Sequence, residues 1–187
     1  MMNELLHLDT ELFLKINVGL SNGFFDWFMP IIRNMYVWIP LYIFIVVFCI
    51  KKYKKTGVYI VGMLLLTFAL GDLSSSRLIK PNVQRLRPCN NPELSSQMIK
   101  RVTCGTGYSF PSSHATNHFA IAVFLICVFY RQWKAILPIG LIWAAMICLA
   151  QIYVGVHYPI DIITGTLLGT SIGLLTYYIY CKIKPAT

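Results

Sequence analysis

The sequence predicts an all-α protein that crosses a membrane as a bundle of about five helices, preceded by an N-terminal amphipathic helix at the membrane surface. Of its 187 residues, 57% are hydrophobic and only 12% are charged, and the mean hydropathy is +0.63. Both values depart far from those of soluble domains. The length suits one unit over residues 1–187, which we divide into an interfacial segment (1–33) and a transmembrane core (34–181).

The first helix is predicted over residues 5–20, where apolar residues recur at steps of three and four. Its polar side chains are Glu4, Asp9, Glu11 and Lys15. We assign them to one opposite face, so the helix is expected to lie on a bilayer rather than to cross it. Residues 21–23 end the helix. The aromatic segment 24–30 that follows suits the headgroup level.

Five uncharged runs are long enough, with their flanks, to cross a hydrocarbon core, which takes roughly 20 apolar residues. They are residues 34–50, 56–71 (extending towards 79), 111–130, 135–153 and 162–181. Lys and Arg cluster after the first, third and fifth runs, and by the positive-inside rule these three places are cytoplasmic. The connections 80–110 and 154–158 are then expected on the opposite side. Since topology accounts for half of the basic residues, the net charge of +9 does not require nucleic acid.

The longer outer connection opens with three cations, Lys80, Arg85 and Arg87. They lie away from the cytoplasmic side, against the usual bias. The planar guanidinium of arginine matches phosphate oxygens, so these residues indicate an anionic ligand. The alternative is a solvated basic loop in contact with anionic headgroups.

The same connection ends with Ser112, Ser113 and His114, immediately before the third span. Backbone N–H groups at a helix start are unpaired and lie at the positive end of the dipole, so this start can hold an anion. His114, in the first turn, is then placed to act as an acid. The alternative is an ordinary serine cap.

The shorter outer connection contains His157 and leads into Asp161. Pro159 favours a helix start between them, because its φ is fixed and it lacks an N–H. A carboxylate in that first turn can accept a hydrogen bond from the imidazole, which makes the imidazole a nucleophile or base. The alternative is an interfacial histidine beside a helix-capping aspartate. Because all three stretches are expected on one face, together they indicate attack on phosphorus.

In order and spacing, the three stretches resemble the motifs of the type-2 phosphatidic-acid phosphatase superfamily, in its membrane lipid phosphatase branch, which is related to the vanadium haloperoxidases. Lys80 to Arg87-Pro88 matches Lys-x6-Arg-Pro, Pro111-Ser112-Ser113-His114 resembles Pro-Ser-Gly-His, and His157 to Asp161 matches the end of the third motif. The resemblance covers about residues 56–181. It implies a helical membrane enzyme that removes phosphate from a lipid phosphate or diphosphate without a metal ion or cofactor.

The resemblance also implies a role for each matching residue. His157 would form a phosphohistidine, Asp161 would orient and stabilise it, and His114 would protonate the leaving oxygen. The phosphoryl oxygens would be held by Lys80, Arg87, Ser112 and the amide of Ser113.

The chain departs from the family pattern at two positions. The third motif of the family begins Ser-Arg, where this chain has Ala150-Gln151, so Gln151 is left as an uncharged donor to the phosphate. An uncompensated loss of the charge costs about 3 kcal/mol or more of transition-state stabilisation. The candidates to replace it are Arg77, Arg85 and Arg101. Ser113 stands where the family has glycine, which keeps the backbone N–H.

Three further residues or pairs are interpreted as structural. Cys89 and Cys104 lie in the longer outer connection and are expected to form a disulfide if that side is oxidising. Asp72 lies near the outer end of the second span and is expected to pair with Arg77 or Lys80. His118 shares a helix face with His114, and we expect it to pack rather than to react.

The leading hypothesis is a lipid phosphatase integral to the inner (cytoplasmic) membrane, with its site facing the periplasm or exterior. The candidate substrates are undecaprenyl diphosphate, phosphatidylglycerophosphate and lipid A, and membrane lipids are the expected partners. One alternative is a phosphotransferase that passes the phosphate to a lipid or sugar acceptor. The other is a catalytically weakened protein that binds anionic lipids through the same loop.

Overall fold

Seven α-helices account for most of residues 2–185, the part of the chain that the computed structural model describes. They are α1 (Met2–Asn17), α2 (Gly23–Ile32), α3 (Ile39–Asp72), α4 (Lys80–Val83), α5 (Ser113–Phe129), α6 (Ile136–Tyr153) and α7 (Pro159–Ile183). Short 3-10 turns and loops join them, and these residues contain no strand. The all-α fold class is therefore confirmed.

Helix α1 is amphipathic, but the prediction that Asp9 belongs to its polar, solvent-exposed face is wrong. The leucines at 5, 8 and 12 are exposed, as expected for a side turned towards lipid. Asp9, however, is only 2% exposed, because it shares a face with Phe13 and Asn17, and all three are buried against the bundle. Asn17 fixes this face, since its side-chain amide donates to the carbonyl oxygens of Tyr153 (2.7 Å) and Ile99 (3.0 Å).

Helix α2 forms the aromatic segment that the sequence places at the headgroup level. The side chain of Asn22 accepts a hydrogen bond from the Phe25 amide and so starts the helix. Phe24 and Trp27 are exposed. On the opposite side, Met29 and Ile32 are buried in the main apolar core, together with residues of α1 and α6.

The first two predicted spans are the two arms of α3, which reverses direction at Lys54. This residue has φ +50° and ψ −120°. A β-carbon on Gly57 would collide with the carbonyl oxygen of Cys49, although eight residues of a straight helix extend about 12 Å. The arms therefore lie against each other, and the lysine cluster occupies the turn.

Beyond Asp72, the second arm continues through a π-helical turn, Leu73–Ile79, into α4. The sequence predicts this extension of the second span towards residue 79. A π-helical turn often marks a functional site, and here it ends directly before Lys80.

Helices α5 and α7 run parallel and make the most extensive contact between two helices in the described chain. The contact forms at three glycines of α7 spaced by four residues, Gly165, Gly169 and Gly173. Added β-carbons there would press against the carbonyl oxygens of Ser112, Thr116 and Ala120, respectively. Such close backbone approach requires small residues, as is common between membrane helices. As a result, α5 and α7 begin at the same end of the bundle.

The five predicted spans are all present as helices: the two arms of α3, α5, α6 and α7. By length and composition, the segments able to cross a membrane are Met35–Leu94, Ile136–Tyr153 and Pro159–Ile183, the first of which contains both arms of α3. Ser113–Phe129 is apolar and slightly shorter. These apolar helices are those of an integral membrane protein.

The glycine contact predicts a selective loss of stability. In Gly169→Ala, the new methyl group meets the backbone of Thr116, so α7 must move away from α5. Overpacking of this kind costs about 1–3 kcal/mol, and we expect a lower thermal midpoint in detergent. Gly62→Ala is the matched control, since a β-carbon there has no neighbour within 4 Å. Equal midpoints for the two variants would contradict the role of Gly169.

Candidate active site

The predicted site residues meet at the end of the bundle where α5 and α7 begin. His157 lies in the turn before α7, and Asp161 lies in the first turn of that helix. The imidazole Nδ1 is 3.4 Å from the Asp161 Oδ2 atom, and both side chains are buried, at 2% and 0% exposed. The Tyr158 amide donates to the same Oδ2 at 2.9 Å. The proposed histidine–carboxylate pair is therefore formed.

His157 is neutral in this environment. Burial lowers the pKa of His157 to about 4, although the hydrogen bond with the Asp161 carboxylate acts in the opposite direction. A neutral imidazole that donates its Nδ1 proton to the carboxylate keeps a free lone pair on Nε2. The second ring nitrogen is thus available as a nucleophile at neutral pH.

The other oxygen of Asp161 is held by Arg85, which also connects it to α1. One terminal nitrogen of Arg85 lies 2.8 Å from Asp161 Oδ1, and the other lies 2.6 Å from Asp9 Oδ2. Asp9 Oδ1 in turn accepts a hydrogen bond from the Ile160 amide at 2.8 Å. The guanidinium also lies over the ring of Tyr158, 3.9 Å from its centroid. Arg85 is therefore neutralised by two carboxylates, and it positions Asp161.

Sequence reasoning missed Asp9, although a signal was present. At 100° per residue, Asp9 lies on a different side of α1 from Glu4, Glu11 and Lys15. It shares its side with Asn17, which is also buried. A more exact division of the helix into faces would have separated these two polar residues from the solvent-exposed ones.

Lys80 and Arg87 are half-buried and are held by carbonyl groups rather than by carboxylates. Lys80 Nζ donates to the Tyr108 carbonyl at 3.1 Å. Arg87 donates through Nε to Gly107 O (2.8 Å) and through a terminal nitrogen to Val156 O (3.4 Å). Both cations are within electrostatic reach of the His157 ring. Neither cation forms an ion pair with another of residues 2–185, so both positive charges act on the site without being neutralised.

A disulfide fixes the loop that carries Arg87. Cys89 and Cys104 are bonded, with their Cα atoms 6.0 Å apart, as predicted. The amide of Cys89 also donates to the carbonyl of Gly155 at 3.1 Å. These two links hold the Arg87 loop against the turn that contains His157.

Ser112 and Ser113 occupy the start of α5. Ser112 is the N-cap: its hydroxyl accepts from the Ala115 amide at 3.3 Å, and its own amide donates to the Asp161 carbonyl at 3.0 Å. The alternative of a serine cap is thus also realised. The Ser113 hydroxyl lies 2.9 Å from the Ser76 hydroxyl, which is 3.1 Å from Asp72 Oδ1. Asp72 therefore contacts Ser76 instead of forming the predicted ion pair.

His114 projects from the first turn of α5 and is half-buried. Its ring lies parallel to that of His118, with the centroids 6.1 Å apart. His118 is held from both sides, since Nδ1 lies 2.8 Å from the His114 carbonyl and Nε2 lies 3.3 Å from the Tyr42 hydroxyl. His118 thus packs behind His114, as expected, and the His114 ring is within electrostatic reach of His157.

Gln151 is fully buried on α6. Neither its side-chain oxygen nor its side-chain nitrogen has a hydrogen-bond partner among residues 2–185. Its backbone carbonyl accepts from the Val156 amide at 3.1 Å, which places α6 beside the turn that leads to His157. Its expected contact with phosphate remains a prediction.

A cavity of about 510 Å³ extends from the site between the arms of α3 and α5. Its polar end is formed by Asp72, Ser113 and His114, and its remaining walls are mainly apolar, including Leu64, Leu65, Phe68, Ile121 and Leu125. A cavity with one polar end and apolar walls suits a ligand with a polar head and a hydrocarbon chain.

Comparisons with known proteins agree with this geometry. Residues 56–184 match the PAP2 superfamily. The lipid A 4'-phosphatase of Bacteroides thetaiotaomicron is 34% identical over 186 residues, which are 98% of this chain and 81% of the relative. The undecaprenyl-diphosphatase of Sulfolobus acidocaldarius is 34% identical over 176 residues, which are 91% of this chain and 78% of the relative.

Two crystal structures share the fold. One is a transmembrane PAP2 type phosphatidylglycerolphosphate phosphatase from Bacillus subtilis, with a TM-score of 0.77 and 22% identity, covering 99% of this chain and 90% of that one. The other is LpxE from Aquifex aeolicus, with a TM-score of 0.63 and 26% identity, covering 91% of this chain and 95% of that one. The ordered motifs, the helical fold and these matches together show that the chain belongs to the PAP2 superfamily.

Proposed function

We propose that this chain is a lipid phosphatase that hydrolyses the phosphate monoester or diphosphate of a membrane lipid through a phosphohistidine intermediate. The observation that carries the proposal is the buried pair of His157 and Asp161 beside two cations, Lys80 and Arg87, that form no ion pair with a carboxylate of residues 2–185. Phosphoryl transfer requires a nucleophile beside cations that can stabilise the phosphoryl oxygens.

In the first step, Nε2 of His157 attacks the phosphorus atom. Asp161 accepts the Nδ1 proton in a hydrogen bond and stabilises the positive charge that the ring acquires. Lys80 and Arg87 stabilise the negative charge on the phosphoryl oxygens, assisted by the Ser112 hydroxyl and the Ser113 amide. The bond from phosphorus to the lipid oxygen breaks, and that oxygen takes both bonding electrons.

His114 donates a proton to the leaving oxygen. The negative charge of a bound phosphate favours the protonated imidazole that this step requires. In the second step, neutral His114 removes a proton from a water molecule that attacks the phosphohistidine. The bond from phosphorus to Nε2 then breaks, so that inorganic phosphate and free His157 are formed.

The apolar cavity supports a lipid substrate whose chain enters from the side of the bundle. Two relatives that are similar over 98% and 96% of this chain are named lipid A 4'-phosphatases, and this favours a lipid A type phosphate monoester. Undecaprenyl diphosphate is the second substrate class, supported by the relative from Sulfolobus.

We place the protein in the inner membrane with its site facing the periplasm or exterior. The lysine-rich turn at Lys54 supports this orientation, because positive loops remain cytoplasmic. The disulfide of Cys89 and Cys104 gives independent support, because it lies in the loop that carries Arg87, and disulfides persist in oxidising compartments.

The decisive experiment is phosphate release by the purified protein in detergent. Lipid A, undecaprenyl diphosphate and phosphatidylglycerophosphate are supplied separately, and we expect free phosphate from at least one of them. His157→Ala should reduce kcat/KM by about 10³-fold or more, because it removes the nucleophile. His7→Ala is the control, since His7 is an exposed histidine of α1.

The other outcomes separate the alternatives. Phosphate found on a lipid or sugar acceptor instead of in solution would identify a phosphotransferase. No turnover of any of the three lipids, in wild type and His157→Ala alike, would reject the proposal in favour of a lipid-binding protein.

The buried His157 also predicts a dependence of stability on pH. Its pKa is about 4 in the folded protein and 6.5 when exposed, so between these values the unfolded chain binds a proton that the folded chain does not. Its contribution to the free energy of unfolding is therefore present above about pH 6.5 and is lost as the pH falls towards 4. The difference corresponds to about 3 kcal/mol at most.

Thermal midpoints in detergent at pH 7 and pH 4.5 test this. The midpoint of the wild type should fall more on acidification than that of His157→Asn, which carries no titrating ring. Equal decreases in the two proteins would show that His157 is not held neutral by the fold.

A further inference from the structure

Of the three arginines that the sequence offers as a replacement for the charge missing at Gln151, two are already bound to carboxylates. Arg77 is exposed on the π-helical turn. Arg85 is already bound by Asp9 and Asp161. The third candidate, Arg101, is bound to Asp26 (2.5 Å) and to the backbone carbonyls of residues 17 and 153. The guanidinium groups of Arg85 and Arg101 are therefore already occupied, and that of Arg77 is exposed rather than buried.

A fourth arginine, Arg33, is half-buried and has a guanidinium N–H that is unpaired within the described chain. It lies directly after α2, where it is half-buried. Its Nε atom is buried and has no hydrogen-bond partner among residues 2–185. Burial of a guanidinium N–H without a partner is unfavourable, so this donor indicates a ligand in that direction.

The charges around Arg33 are those of the candidate active site. Its guanidinium is within electrostatic reach of Arg87 and of the His114 ring. Burial lowers the pKa of Arg33, and the neighbouring Arg87 lowers it further, but an arginine remains charged at physiological pH. Two half-buried guanidinium groups that repel each other are stabilised together when an anion binds between them.

The backbone at Arg33 is held firmly enough to direct its side chain. The Ile32 carbonyl accepts a hydrogen bond from the indole of Trp38 at 2.7 Å, and Ile32 is buried in the main core. Trp38 packs against Trp143 of α6, with ring centroids 5.6 Å apart, and Trp143 packs against His118 at 5.0 Å. The aromatic rings of Trp38, Trp143 and His118 thus form a continuous series of contacts from the Arg33 segment to the ring of His114.

We propose that Arg33 is a phosphate-binding residue, which supplies from the N-terminal segment the guanidinium that the third family motif lacks at Gln151. Its ligand is a phosphoryl oxygen of the lipid substrate, bound together with Arg87 on the side of His114. This inference rests on the proposed phosphatase activity. It makes residues 1–33 part of the active site rather than a membrane anchor alone.

The test measures two quantities in Arg33→Gln: kcat/KM with the best lipid substrate, and the inhibition constant of orthovanadate, a small anion that mimics the phosphoryl transition state. We expect kcat/KM to fall about 10²-fold and vanadate inhibition to weaken by a similar factor. Arg77→Gln is the matched control and should change neither quantity. The thermal midpoint of Arg33→Gln should stay near that of the wild type.

A rescue variant makes the test specific. Gln151→Arg should raise kcat/KM much more in the Arg33→Gln background than in the wild type, because only the former lacks a cation. The inference is overturned if Arg33→Gln keeps both quantities within about twofold. It is also overturned if activity falls without a change in vanadate inhibition and without rescue. Failure of the phosphatase proposal is distinct, since the wild type itself would then release no phosphate.

Discussion

The close contact between α5 and α7 is the constraint on which the rest of the structure depends. Three glycines of α7 allow the two backbones to meet, and the first of these contacts lies beside the Ser112 amide, which donates to the Asp161 carbonyl at 3.0 Å. Because the helices run parallel from this point, the start of α5 and the histidine–aspartate pair at the start of α7 are placed together. A bulkier interface would separate His114 from His157.

The N-terminal segment participates in the site as well as in the fold. Asp9 holds Arg85 on Asp161, Asn17 ties α1 to α6, and Arg33 is within electrostatic reach of Arg87. The PAP2 match begins at residue 56, whereas similarity to the Bacteroides relative extends over 98% of the chain. The region aligned with this relative thus includes the N-terminal segment, from which Asp9 supports the pair of His157 and Asp161 through Arg85.

Charge is distributed unequally among the basic residues of the site, and this distribution assigns their roles. Arg85 is neutralised by two carboxylates and therefore orients Asp161. Within the described chain, Lys80 and Arg87 donate to carbonyl oxygens and not to carboxylates, so they retain their net charge. In a region of low dielectric, an anion that binds beside such groups is stabilised strongly, because little water competes with it.

The sequence by itself determined the helices, because long apolar runs and basic clusters depend on local composition. It also determined the three motifs, because the residue types and their spacings can be read directly from the chain. Only the tertiary structure decided which groups the charged side chains contact. Asp9 is buried, Arg85 is neutralised and Arg33 lies within electrostatic reach of Arg87, and in each case the interacting charges are more than 50 residues apart along the chain. Burial and charge balance arise from such distant contacts, so no local pattern encodes them.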